Sequence, residues 1–262
     1  MQPLAIDLFC GLGGWTEGLL AEGYYVVGFD NTQHVYGEHR YPAQLVIQDV
    51  LTLHGSQFKD AALIVASPPC QAYSYRAMPW KRAKALPPPD NSLFEACFRI
   101  QREAIEAAGH FIPLVVENVR GAIPWVGRSR WNYGSFHLWG DVPALMPMTK
   151  QVTKNDGGSG LAVSHNNVPY SRGDAIKVTG HLNKRNGHRS TAHLTNPVEH
   201  IKCGGDWFGP GENSSAMRHQ SSRSPKRKMA SAMIAKIPEP LARHIARVYY
   251  PDAFAHAKEF DQ

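Results

Sequence analysis

A cysteine placed directly after two prolines is the first residue of this chain whose setting suggests chemistry. Cys70 belongs to Ser67-Pro68-Pro69-Cys70-Gln71, which follows the apolar run 61–66. The prolines fix φ and remove two backbone donors, so the thiol sits on a stiff, non-helical segment. It is a candidate nucleophile; the alternative is an ordinary buried cysteine behind a strand-ending Pro-Pro, since cysteine is among the most buried residue types. Glu117, in Pro113-Leu-Val-Val-Glu-Asn-Val119, is a carboxyl at the end of a nearly all-apolar run. A carboxylate beside a thiol disfavours the thiolate, so Glu117 suits a role toward a substrate, as an acid sharing a proton in a dry pocket, better than activation of Cys70. The third constellation is the turn Cys10-Gly11-Leu12-Gly13-Gly14 with Asp30 about 20 residues on, where glycines let the backbone pass under a ligand and an acid can accept from ribose hydroxyls. Its Gly-x-Gly-Gly pattern differs from the dinucleotide fingerprint, and such turns also occur for structural reasons alone.

The elements that must position these residues read as alternating strands and helices. Leu4 to Phe9 is a short strand, Trp15 to Glu22 a helix stopped by Gly23, and Tyr24 to Phe29 a second strand ending in Asp30. Leu45 to Ile47 is a third strand, leading into Asp49 and Val50; Asp49 could accept from an adenine amine or serve as turn chemistry. The run before Cys70 is a fourth strand, buried in a parallel sheet. Ser92 and Glu95 form a capping box that opens a helix to Ala108, with Cys97 on its core stripe, and strands 113–119 and 134–139 follow. In a doubly wound sheet the carboxyl ends of neighbouring strands line one crevice, so Cys70, Glu117 and the glycine turn are expected to converge.

With 262 residues the chain can bury one sizeable core and a small appended lobe. Its net charge of +6 is mild, which makes the placement of basic residues more informative than their sum. Between Ala72 and Asp90 basic and aromatic residues alternate (Arg76, Lys81 and Arg82 among Tyr73, Tyr75 and Trp80), which suits phosphates and unstacked bases, although a solvated basic loop has the same composition. Four widely spaced cysteines, no secretory pattern and no apolar run of membrane length point to a soluble, reduced, cytoplasmic protein. His188, His193, His200 and Cys203 match no zinc spacing, so no metal is expected.

Taken together and in this order, Asp7-Leu-Phe-Cys-Gly-Leu-Gly-Gly14, Ser67-Pro-Pro-Cys-Gln71 and Glu117-Asn-Val119 resemble the first, fourth and sixth motifs of the DNA (cytosine-5)-methyltransferases. The resemblance implies an α/β, Rossmann-like S-adenosylmethionine-dependent methyltransferase sheet with helices on both faces and a small inserted recognition lobe. It implies that Cys70 attacks C6 of a flipped cytosine in double-stranded DNA while Glu117 bonds N3 and the exocyclic amine. Phe9, Cys10, Gly11, Leu12, Gly13 and Gly14 would cradle S-adenosyl-L-methionine, Asp30 its ribose, Asp49 and Val50 its adenine, with Pro69 beside the sulfonium. Ser231, before a proline-led helix, is the nearest match to the tenth motif, although the expected Gly-Asn is absent. Arg128 and Arg130 are the nearest to the eighth motif, whose arginine faces the base; the alternative is that both contact phosphates.

By the same reading Gln71, Ser74, Arg76, Lys81, Arg82, Arg223, Lys226 and Arg227 contact DNA. The chain divides into a catalytic domain 1–148, a short target-recognition region 149–225 and a helical segment 226–262 that completes the first. Such a compact layout resembles monomeric enzymes of bacteriophages or mobile elements. Transfer of a different one-carbon group, a catalytically silent DNA-binding homologue, and RNA as substrate are the alternatives, in that order.

Overall fold

The computed structural model describes residues 2–73, 87–147 and 224–251. Apolar runs become strands: β1 Leu4–Leu8, β2 Tyr25–Asp30, β5 Gln44–Ile47, β6 Ala61–Ala66 and β7 Leu114–Asn118 are parallel neighbours in the order β5-β2-β1-β6-β7. Two further strands, β8 Trp131–Tyr133 and β9 Phe136–Gly140, extend this sheet to seven. Strand β9 is antiparallel to β7, and β8 to β9. The strand expected over 134–139 is β9, and the unexpected β8 before it makes the pair a hairpin, turned at Gly134 where φ is 59°. The connection 134–135 is too short for a parallel crossover. A second hairpin, β3 Val35–Tyr36 with β4 His39–Arg40, is largely exposed and so left no apolar alternation to read.

Alternation along the strands sends side chains to two faces, each covered by helix. On one face Leu8, Ile64, Ala66, Leu114 and Val116 pack against Phe94, Cys97, Ile100 and Ala104 of α2, Ser92–Ala108. On the other, Ala5, Leu63, Val65 and Val115 meet Trp15 and Leu19 of α1, Gly14–Ala21, and Leu241 and Ile245 from the far end of the chain. The protein is thus a mixed α/β fold with a mostly parallel central sheet. Helix α2 is not opened by the expected box. Asp90 Oδ1 accepts from the Ser92 amide at 2.8 Å, and the N-cap residue Asn91 makes no side-chain cap. A short helix α3, Ile123–Val126, links β7 to β8.

The chain forms two compact units, one of Met1–Met148 with Lys236–Gln262 and one of Thr149–Ala235. Of the second, α4 (Pro225–Ala235) is described. Helix α5, Glu239–Val248, belongs to the first unit, carries Pro240 in its first turn and docks on α1. Among the described residues no helix is long and apolar enough to cross a membrane, and no cluster of three His, Cys, Asp or Glu is placed to hold a metal.

Candidate active site

Register across the sheet brings the chemistry-bearing residues to one edge. Phe29, Leu8, Ala66, Val116 and Trp139 pair in a single row across five strands, all on the α2 face. One residue further along each parallel chain stand Asp30, Phe9, Ser67 and Glu117. These four lie side by side at the carboxyl ends of β2, β1, β6 and β7, where β1 and β6 have just left the sheet. With strands spaced about 4.8 Å apart, the row from Asp30 to Glu117 is roughly 14 Å across.

The loop carrying Cys70 is tied to both neighbours. The Ser67 amide donates to Leu8 O at 3.1 Å and the Ser67 hydroxyl accepts from the Trp15 indole at 3.0 Å, which links it to α1. Asn118 Nδ2 donates to Pro68 O at 3.0 Å, while its Oδ1 accepts from the Val119 amide at 2.8 Å. An amide side chain with 0 % exposure thus clamps the proline pair to the strand bearing Glu117. Beyond the thiol, the Tyr73 amide donates to Cys70 O at 3.0 Å and the Tyr73 hydroxyl to Asn91 Oδ1 at 2.9 Å. Cys70 itself is half-buried, Pro69 and Gln71 are exposed, and Glu117 is 3 % exposed.

At the glycine turn Phe9 adopts φ 57°, the sole positive φ of a non-glycine among the described residues; this conformation costs about 1–2 kcal/mol. Gly13, at φ 80°, has no room for a side chain, since a Cβ would come within 2.5 Å of Pro42 Cδ. Gly11 differs: its missing Cβ would point into open space, so its backbone lies bare toward the crevice. The Gly11 amide donates to Asp30 Oδ2 at 3.0 Å, and His34 Nε2 lies 3.6 Å from Asp30 Oδ1. Burial opposes ionisation of Asp30, but hydrogen bonds from His34 and the Gly11 amide outweigh it and hold the carboxyl below its usual range. His34 gains from the same pair and is shifted upward.

Two cysteines are removed from consideration by their surroundings. Burial, reinforced by Asp7 and Asp30, pushes the Cys10 thiol far up, and complete burial does the same to Cys97, which fills the core beneath α2. Asp49 spends Oδ1 on capping a turn, accepting from the Leu51 amide at 2.9 Å, and Val50 packs its side chain into the core. Leu12 is buried and Gly14 abuts the Ile237 backbone. Arg128 and Arg130 are exposed on the connection between α3 and β8, and Ser231 is exposed on α4. Lys226 and Arg227 lie on α4 with side chains outside the described residues; Ser74, Arg76, Lys81, Arg82 and Arg223 lie outside them altogether.

Sequence reasoning passed over Asp7. It is 1 % exposed, and Thr16 Oγ1 donates to its Oδ2 at 2.6 Å while lying 2.6 Å from the Tyr41 hydroxyl. Its Oδ1 has no hydrogen-bond partner among the described residues, and burial raises the carboxyl to about 7. A lone acid inside an apolar strand just ahead of the glycines was the available signal. A large cleft, about 980 Å³ and bordered by Pro3, Tyr25, Phe111, Tyr249 and Tyr250, opens at the opposite, amino-terminal edge. Size there does not mark the chemistry, because Cys70, Glu117, Asp30 and the left-handed Phe9 stand at the other end of the strands.

Residues 4–123 match the family model described as C-5 cytosine-specific DNA methylase. Over that stretch, a little under half of the chain, the sequence is similar to this family. The methylase match takes in the glycine turn, Asp30, Asp49, Cys70 and Glu117, and ends before Arg128 and Arg130. Among solved structures, similarity extends to a protein described as a DNA modification methyltransferase encoded within an E. coli prophage (22% identity, 47% of this chain and 33% of that one, TM-score 0.32). It extends also to the Dnmt2 methyltransferase of S. pombe (17% identity, 47% and 36%, TM-score 0.34) and to the Entamoeba histolytica methyltransferase EhMeth (11% identity, 97% and 99%, TM-score 0.47). The chain spans about a third of the length of the first two. No curated protein matches it significantly.

Proposed function

We propose that this protein is a DNA (cytosine-5)-methyltransferase that acts on a cytosine turned out of double-stranded DNA through a covalent bond between Cys70 and C6. The observation that carries the reading is the single row of Asp30, Phe9, Ser67 and Glu117, with Cys70 three residues beyond Ser67. The crevice residues fit S-adenosylmethionine. Gly11 presents bare backbone to open space, and Asp30 is an ionised acceptor at its rim, suited to ribose hydroxyls. When bound, that cofactor supplies an electrophilic methyl group.

Cytosine C5 is a poor nucleophile until a thiolate adds at C6, which is the step assigned to Cys70. The charge this addition creates is accommodated by a proton at N3 shared with Glu117, whose burial strengthens the contact. After C5 is alkylated, its proton passes to solvent and the C6–S bond breaks, so that Cys70 departs as a thiolate and the C5–C6 double bond is restored. A stacked base cannot reach either group, so extrusion is part of the reading. Residues 149–225 are assigned to target recognition, and the protein acts as a monomer in the cytoplasm.

The test is incubation with DNA and S-adenosylmethionine, followed by mass analysis of the nucleosides. A gain of one methyl on deoxycytidine is expected, and Cys70→Ser should remove it while leaving cofactor binding nearly intact. Glu117→Gln should slow transfer by about 10²- to 10³-fold. DNA carrying 5-fluorocytosine should trap a stable adduct, because fluorine does not leave as a proton does. A different mass gain, or full activity in Cys70→Ser, would reject the proposal.

A further inference from the structure

The row that contains Glu117 continues outward to the sheet edge. Glu117 pairs with Leu138 and Leu138 with Trp131, and directly paired residues point to the same face. Trp131 therefore shares a face with Glu117 two strands away, about 10 Å across the backbone, and is 37% exposed on the terminal strand β8. The connection leading to it holds Arg120, Trp125 (44% exposed), Arg128 and Arg130, and from 118 to 140 the chain contains no Asp or Glu. None of these three guanidinium groups pairs with another described residue, whereas Arg99, Arg243 and Arg247 all bind carboxylates. The surface is also joined to the loop of the thiol: Tyr73 donates to Asn91, whose Nδ2 donates to Trp125 O at 3.3 Å.

An acid-free edge with exposed indoles suits a polyanion that also offers π-faces. We infer that β8 and the connection before it grip the nucleic-acid strand where its stack has been opened, Arg120 and its neighbours holding phosphates and Trp131 stacking on a base that has lost its neighbour. This rests on the reading above, in which a base leaves the duplex, and it assigns Trp131 to the gap rather than to the departing cytosine.

Binding of two fluorescent probes without cofactor tests it: a short mixed-sequence duplex, and the same duplex with one central abasic position. Wild type should prefer the gapped probe. Trp131→Ala should erase that preference with about tenfold weaker binding to the gapped duplex, and Trp131→Phe, which keeps a ring, should retain most of it. Arg120→Ala should weaken both probes alike and lower the slope of log K against log salt by about 0.9. Quenching of indole emission by the gapped duplex should shrink in Trp131→Phe. No preference in wild type, or unchanged binding and quenching in all three variants, overturns the inference even if methyl transfer proceeds. The predicted binding changes in a chain that transfers no methyl would instead remove the enzymatic reading and leave this surface standing.

Discussion

At the scale of single residues, Asp7 has the most measurable consequence. Burial holds its carboxyl at about 7 in the folded chain, against 3.8 for the exposed group. Between those values the folded state keeps a proton that the unfolded state has released, so the contribution to stability is fully present below about pH 4 and is lost as pH rises toward 7. Asp7→Asn retains an acceptor for Thr16 and cannot ionise. Relative to wild type, the variant should gain about 2–3 kcal/mol of unfolding free energy between pH 5 and pH 8, read from urea transitions. Parallel pH profiles would show that Asp7 ionises normally. The residue that faces the crevice and the residues that brace it thus divide the work. Cys70 and Glu117 stand at the edge, while Asn118, Ser67 and Trp15 hold the loop that carries the thiol.

Among elements, the contact of α1 with α5 decides how the glycine turn is backed. Gly18 lies where a Cβ would crowd Ala242 and come within 2.7 Å of the Arg243 amide. On an exposed helix, Gly→Ala would stabilise by up to about 1 kcal/mol. Here the clash with backbone should win, and Gly18→Ala is expected to lower stability by about 1–3 kcal/mol; a gain would show that α5 can slide. Glu22 also joins these helices through Arg247 and Arg243, whose hydrogen bonds hold its carboxyl below the usual range. Both arginines are substantially exposed, so each pair is worth at most about 1 kcal/mol and apolar burial carries the docking.

For the molecule as a whole, the amino-terminal sheet depends on residues more than 200 positions away, as in the bond from the Tyr24 hydroxyl to Ala246 O at 2.9 Å. Ile237, Leu241 and Ile245 are buried against that face, at about 1.5–3 kcal/mol each. Their sum is a large share of the roughly 5–15 kcal/mol available to a domain. A chain ending at Ala235 should therefore lose its cooperative urea transition and bind a hydrophobic dye, and a sharp wild-type-like transition would contradict this.

Local chemistry was legible in the sequence wherever one short segment carried it. The Pro-Pro-Cys loop, the glycine turn, the carboxyl at the end of an apolar strand and the core position of Cys97 needed only strand periodicity and the special backbone of proline and glycine. The β8–β9 hairpin, the capping by Asp90, the unpaired oxygen of Asp7 and the row linking Glu117 to Trp131 were not legible. Each depends on which strand lies beside which, a matter of register between segments far apart in the chain. Sequence by itself determined the reactive groups and the strands that bear them; only the packed sheet decided which of those groups share an edge, because register is set by burial on two faces at once.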